Sequence, residues 1–283
     1  MHLDNFKNVI DNYDVIFFDA YGVLKNSAGL IDGIKSTFNY LDSTNTNFYI
    51  LTNDASRGPV ELAKAYANAG LTQITPDKII SSGMLAREYL RSKVKSGSIA
   101  YLGTENSAHY IEELGQKTVS IAHVDLKDVQ HISALVLLDD EGFDWNHDLN
   151  KTVNLLRKRN IPVVVANTDE SYPISRDEVA IAVGSIADMV EHILGRTFIR
   201  FGKPDAQMFN FAYEHICKET FVPKNKVLMV GDTLFTDIIG ANKFGIDTVL
   251  VLTGNTFHET AESRIKQTGI IPDYICESAV IDF

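Results

Sequence analysis

Short, wholly apolar runs recur along the chain, and each stops abruptly on a polar residue or a glycine. Val15–Phe18 ends at Asp19, Phe48–Leu51 at Thr52 and Asn53, Val227–Val230 at Gly231 and Asp232, and Val249–Leu252 at Thr253 and Gly254. None of these runs alternates with period two, which fits strands covered on both faces. Stretches of helical period lie between them, so the pattern predicts βα units around a parallel sheet. Ser56 is expected to cap one helix, with Pro59 in its first turn, Leu62, Tyr66 and Ala69 on one face and Gly70 at its stop. A second helix should open at Pro204, placing Met208, Phe211, Ala212 and Ile216 at core spacing, and a third should run from Leu234 to Phe244 before Gly245. In a doubly wound sheet the ligand site lies beyond the carboxyl ends of the strands. The polar residues that end the runs therefore share one rim.

The middle of the chain reads as a separate unit. Arg91–Ser98 has the composition of a linker and Gly195–Gly202 that of a return. Between them lie Ile99–Leu102, a helix near Ala108–Leu114, Ala134–Leu138, a helix near Leu149–Arg159, and Ile161–Ala166. The expected organisation is a core of residues 1–94 and 198–283, interrupted by an inserted α/β domain at 95–197.

Composition narrows the class. With 45% hydrophobic and 22% charged residues, the 283-residue chain can bury a real core. Its 26 basic and 37 acidic side chains give a net charge of −11, and no Lys/Arg-rich run is present. A nucleic-acid or anionic-membrane surface is not expected from that balance. No apolar run approaches the ~18 residues of a membrane span, and Asp4, Lys7 and Asp11 precede the first one, so no signal peptide is visible. Only Cys217 and Cys276 occur, too few for a disulfide framework and wrongly spaced for a zinc knuckle. The expected setting is the cytoplasm.

Four short stretches carry candidate chemistry, and each has a plainer reading beside it. Asp19-Ala20-Tyr21-Gly22 follows the first strand, where Asp19 is either a nucleophile that accepts a phosphoryl group or a turn residue. Thr52-Asn53 offers a hydroxyl and turn amides to phosphate oxygens, or simply closes a strand. Lys203, in Gly202-Lys203-Pro204-Asp205, supplies a compact positive charge, or is an exposed turn lysine. It is not a P-loop lysine, because Pro204 stands where a hydroxyl would be needed. Gly231-Asp232-Thr233-Leu234-Phe235-Thr236-Asp237 is the most specific, since it sets two carboxylates five residues apart at a strand end and a helix start. Such a pair suits a hard cation such as Mg²⁺.

Taken together, Asp19, Thr52, Lys203 and Asp232/Asp237, each at the end of an apolar run, resemble the four motifs of the haloacid dehalogenase (HAD) superfamily. Ser56-Arg57, Ser81-Ser82-Gly83, Asn167-x-Asp169 with Pro173, and the string Gly231–Ile238 are similar to its NagD-like subclass IIA. The resemblance implies a Rossmann-like doubly wound α/β core with an inserted cap, and a Mg²⁺-dependent phosphatase of small phosphorylated metabolites such as sugar phosphates or nucleotides. It further implies that Asp19 attacks phosphorus and that Asp19, the Tyr21 carbonyl and Asp232 hold the metal. Asp237 would support the metal and Lys203. Lys203 and Thr52 would hold the phosphoryl group, with Asn53 and Asp169 as further substrate contacts.

One position departs from the pattern. The family's first motif is Asp-x-Asp, whose second carboxylate protonates the leaving group and then activates water, and Tyr21 stands there, either as a catalytic proton donor or as an apolar wall under the cap. Two alternatives follow: a hydrolase or phosphotransferase restricted to good leaving groups, or a phospho-ligand-binding protein without turnover. The segment Asn167–Ser175 is similar to the subclass's specificity loop, and Asp139-Asp140-Glu141 ends another strand of the inserted unit. That acidic run favours an amine-bearing substrate or is a solvated charge run. A homodimer through the cap is a further expectation.

Overall fold

The computed structural model describes residues 2–174, 178–218 and 220–281. Six strands form a parallel sheet in the order Tyr274–Cys276, Asp247–Val251, Val227–Gly231, Val15–Phe18, Asn47–Thr52, Ile79–Ser81. Every residue of Val15–Phe18 and of Val227–Gly231 is buried. The reason is the alternation of side chains along a strand whose two faces are both covered. Phe18 packs with Phe38, Phe48, Ile50 and Val230 on one face. Phe17 packs with Leu51, Met208, Phe209 and Met229 on the other. From Val15–Phe18 the chain builds outward through Asn47–Thr52 to one edge, and from Val227–Gly231 it builds outward to the opposite edge. The order therefore reverses between these two strands. Phe18 lies opposite Val230 in the register, so Asp19 and Asp232 emerge side by side at that switch point.

A second parallel sheet has the order Ile199–Arg200, Val163–Val165, Ile132–Leu137, Ser98–Leu102, Lys117–Ser120. Leu149, Leu155 and Leu156 of the helix His147–Lys158, and Val183, Ile186 and Val190 of Val183–Leu194, cover one face of it. Its other face, through Ile99, Tyr101, Val136 and Val164, joins the same apolar cluster as Phe17 and Leu51 of the first sheet. The buried Tyr110 sits in that shared cluster, its hydroxyl within hydrogen-bond distance of Ser81 Oγ (2.7 Å) and of the Arg57 carbonyl (2.8 Å). Among the described residues no helix is long and apolar enough to cross a membrane.

Several local expectations change. Arg91, expected in a linker, lies with Ser92 and Lys93 in the last turn of the helix Ser82–Lys93. Ser56 does not cap the helix Pro59–Asn68, which starts after Gly58, because its hydroxyl is held by Asp54. The helix near Ala108 is the single turn His109–Glu112. Lys117–Ser120 and Val183–Leu194 carry a strand and a helix that the apolar pattern did not single out. Ile199–Arg200 pairs with Val163–Val165, so the second sheet extends beyond residue 197. In the loop from Asn167, Ser171–Pro173 pairs antiparallel with Val179–Ile181, while Ser175, the expected end of that loop, lies outside the described residues.

Candidate active site

At the switch point the chain opens a cavity of about 340 Å³. The rim of the six-stranded sheet contributes Asp19, Tyr21, Thr52 and Asp54, and the second unit contributes Asp139, Asp140, Asp169 and Tyr172. That volume holds a small metabolite.

Lys203 lies beneath it, 2% exposed. Its ammonium donates to Asp19 Oδ1 at 2.5 Å and to Asp237 Oδ1 at 2.7 Å. Burial alone would lower this lysine, but the two carboxylates outweigh it and hold its pKa above the ordinary value. Leu234–Ile238 forms a wide π-helical turn rather than the first turn of a regular helix, a form common at functional sites. It returns Asp237 to the strand end, where its second oxygen accepts from the Thr233 amide (3.1 Å). Asp232 is held by the Asn255 amide (2.5 Å) and the Thr233 hydroxyl (3.1 Å). Oxygens of Asp19, Asp232 and Asp237 lie within 4.8 Å of one another. Two glycines make this approach possible: a Cβ on Gly254 would stand 2.0 Å from Asp232 Oδ2, and one on Gly22, at φ +83°, would stand 2.4 Å from it. Burial first, and then the Asp19 charge, push the Asp232 carboxyl up to about 7; Asp237 is raised as well, again chiefly by burial.

Thr52 lines the cavity, and its hydroxyl oxygen accepts from the Asp54 amide (3.1 Å), which leaves the hydroxyl proton to donate. Asn53, expected to touch substrate, does not line the cavity. Its amide nitrogen donates to Thr168 Oγ1 (3.1 Å), Asp169 Oδ1 (2.8 Å) and the Lys203 carbonyl (3.0 Å), while its oxygen accepts from the Lys203 amide (2.7 Å). The two protons of its NH₂ group are shared among those three acceptors, and the side chain joins three distant segments of chain. Asp169 does line the cavity; burial, only partly offset by the Asn53 amide, pushes it up to about 6. Asp139 is pushed up to about 6 by burial and by neighbouring Asp140, whose carboxylate oxygen accepts from the Tyr172 hydroxyl (3.0 Å).

Lys25, Thr104 and Asn106 line the cavity without having been singled out in the sequence, and two further contributors that bear on the carboxylates were not singled out either. Asp54 lines the cavity immediately after Thr52-Asn53, and Asn255 holds Asp232 from the turn after Val249–Leu252. Position at a strand end was the available signal for both, but such ends also carry ordinary turn residues.

A doubly wound parallel sheet with a buried lysine tied to two carboxylates at its switch point has the make-up of a Rossmann-like α/β hydrolase. Residues 16–117 match the model of haloacid dehalogenase-like hydrolases, and residues 200–279 match a second model of HAD-hydrolase-like proteins. The crystal structure of a possible sugar phosphatase of the HAD superfamily from Cytophaga hutchinsonii is 57% identical over 100% of both chains, with a TM-score of 0.96. Mouse (Mus musculus) chronophin is 28% identical over 96% of this chain and 92% of its own length. A glycerol phosphate phosphatase from Mycobacterium tuberculosis, solved in complex with magnesium, shares the fold at a TM-score of 0.77 and 24% identity, covering 98% of this chain and 78% of that one. The chain belongs to the haloacid dehalogenase-like hydrolases, in the NagD-like subclass IIA, and is a hydrolase of phosphoric esters.

Proposed function

We propose that this protein is a Mg²⁺-dependent phosphatase of small phosphorylated metabolites, acting through a phosphoryl group carried on Asp19. The observation that carries the reading is the Lys203 ammonium bridging Asp19 and Asp237 below the cavity, with Asp232 in the same cluster. Once ionised, three carboxylates against one ammonium leave two negative charges in excess in a buried place, and the donors are all hard oxygens. A divalent cation of the Mg²⁺ type fits both features. Asp19, Asp232 and the Tyr21 carbonyl would hold it, with Asp237 supporting the cluster while it anchors Lys203. When bound, such an ion neutralises charge on the phosphoryl oxygens.

The rest belongs to the chain's own residues. Asp19 supplies the attacking oxygen, oriented by its bond to Lys203. Lys203 and the Thr52 hydroxyl stabilise the phosphoryl oxygens, where charge spreads in a loose transition state. Residues 95–197 act as a cap that excludes water and selects the substrate through the wall carrying Asp139, Asp140 and Tyr172. The two free cysteines, Cys217 and Cys276, favour a cytoplasmic setting.

The test is phosphate release from a panel of phosphomonoesters by protein stripped with EDTA and then supplied with MgCl₂. Release that needs Mg²⁺ and disappears in Asp19→Asn is expected. Release from Asp19→Asn at the wild-type rate, or from no substrate in the panel, overturns the reading.

A further inference from the structure

Position 21 carries a phenol where hydrolysis of an alkyl phosphate needs a group that gives a proton to the leaving oxygen and later takes one from water. A phenol does not replace the carboxylate of that cycle like for like. We propose that Asp54 performs both transfers, so that the acid–base carboxylate of this enzyme stands on the neighbouring strand end rather than two residues after the nucleophile. The proposal rests on the reading of Asp19 as the phosphorylated group.

Two observations converge on Asp54. It lines the same cavity as Asp19, Tyr21 and Thr52. Val15–Phe18 and Asn47–Thr52 are adjacent parallel strands with Phe18 opposite Ile50, so the turns that follow them, 19–22 and 52–54, leave the sheet side by side. Asp54 is also oriented. Its Oδ1 accepts from the Ser56 amide (2.9 Å) and the Ser56 hydroxyl (2.6 Å), and Oδ2 takes no hydrogen bond among the described residues. One oxygen is thus fixed and the other is left for proton transfer. The other cavity carboxylates of the second unit are less suited: Asp169 is tied to Asn53, Asp139 and Asp140 are bonded within that unit to Thr104 and Tyr172, and Glu141 is exposed to solvent.

The chemistry balances over two steps. Asp19 Oδ forms a bond to phosphorus as the P–O bond to the alcohol breaks, and the departing oxygen, keeping that electron pair, takes the proton from the Asp54 carboxyl group. Asp54, now a carboxylate, then accepts a proton from a water whose oxygen bonds to phosphorus. The P–O bond to Asp19 breaks, its electron pair returns to the Asp19 carboxylate, and inorganic phosphate leaves.

Asp54→Asn tests this, since an amide oxygen still accepts from Ser56 while proton transfer is lost. With Mg²⁺ and p-nitrophenyl phosphate, whose leaving group departs without protonation, the variant should give a burst of nitrophenolate equal to the enzyme and then slow turnover. Phosphoenzyme should accumulate during it. With glycerol phosphate there should be no burst, and turnover should fall by roughly 10²–10⁴-fold, the usual range for general acid–base catalysis. Adding Tyr21→Asp to that variant should restore part of the alkyl rate. Wild-type turnover of both substrates by Asp54→Asn overturns the proposal, as does the same burst-and-stall behaviour in Asp169→Asn but not in Asp54→Asn. Asp19→Asn separates the two levels of reading: if it keeps wild-type turnover of p-nitrophenyl phosphate, the nucleophile assignment falls, whereas an Asp54 failure with an inactive Asp19→Asn removes only the present proposal.

Discussion

Consider Asp232→Asn in protein freed of divalent cations. Asp232 is 1% exposed, and burial together with Asp19 raises its carboxyl from the usual 3.8 to about 7. Between those two values the folded protein keeps a proton that the unfolded chain has released, so stability falls as pH rises, and the loss is complete above about pH 7. At about 1.4 kcal/mol for each tenfold step, the rise amounts to about 4 kcal/mol. The amide carries no such cost. Rotated suitably, its oxygen accepts from the Asn255 amide as the carboxylate does, and its NH₂ faces the Thr233 hydroxyl, which can accept. Metal-free Asp232→Asn should therefore be more stable than wild type at pH 8 by up to about 4 kcal/mol, with the gap closing toward pH 4. Mg²⁺ should close much of that gap. At a hundred times its Kd it would add about 2.7 kcal/mol to wild type, and far less to a variant that lacks one of the anionic ligands. Urea unfolding at pH 5 and pH 8, in EDTA and in MgCl₂, measures all of these quantities. If the variant is no more stable than wild type in EDTA at pH 8, the account of the buried carboxylates is wrong. If both proteins gain equally from Mg²⁺, Asp232 is not a ligand.

Two other substitutions probe the scaffold. Asn53→Ala removes the amide that ties Thr168, Asp169 and Lys203 together and leaves the buried Lys203 N–H without its acceptor; unfolding free energy should drop by roughly 2–4 kcal/mol, and an unchanged urea midpoint would remove Asn53 from its joining role. Gly254→Ala sets a methyl group 2.0 Å from Asp232 Oδ2 and 2.6 Å from the Gly22 Cα. Calorimetric titration should show Mg²⁺ affinity weakened by about tenfold or more, at least 1.4 kcal/mol, in a protein whose circular dichroism remains that of wild type; equal affinity would mean that the close approach at Gly254 does not position Asp232.

The linear order of residues already determined the sheet class and the rim. Unbroken apolar runs such as Val15–Phe18 and Val227–Val230 can be satisfied only by strands buried on both faces, so the residues that end them had to gather at one edge of a parallel sheet. Asp19, Thr52 and Asp232 were legible for that reason, and Lys203 and Asp237 through the short motifs that carry them. The sequence also exposed the missing carboxylate at Tyr21. What it could not determine depends on contacts between distant segments. Asn53 reads as a residue whose turn amide reaches phosphate beside Thr52, and only the return of the chain at 168–169 and 202–203 gives its side chain a second, joining role. Asp54 reads as an ordinary turn residue, and only the cavity formed between the two units brings it into one lining with Asp19. The same holds for the charge state of Asp232, because a carboxylate's pKa reflects burial and neighbouring charge, which packing creates and linear order does not contain.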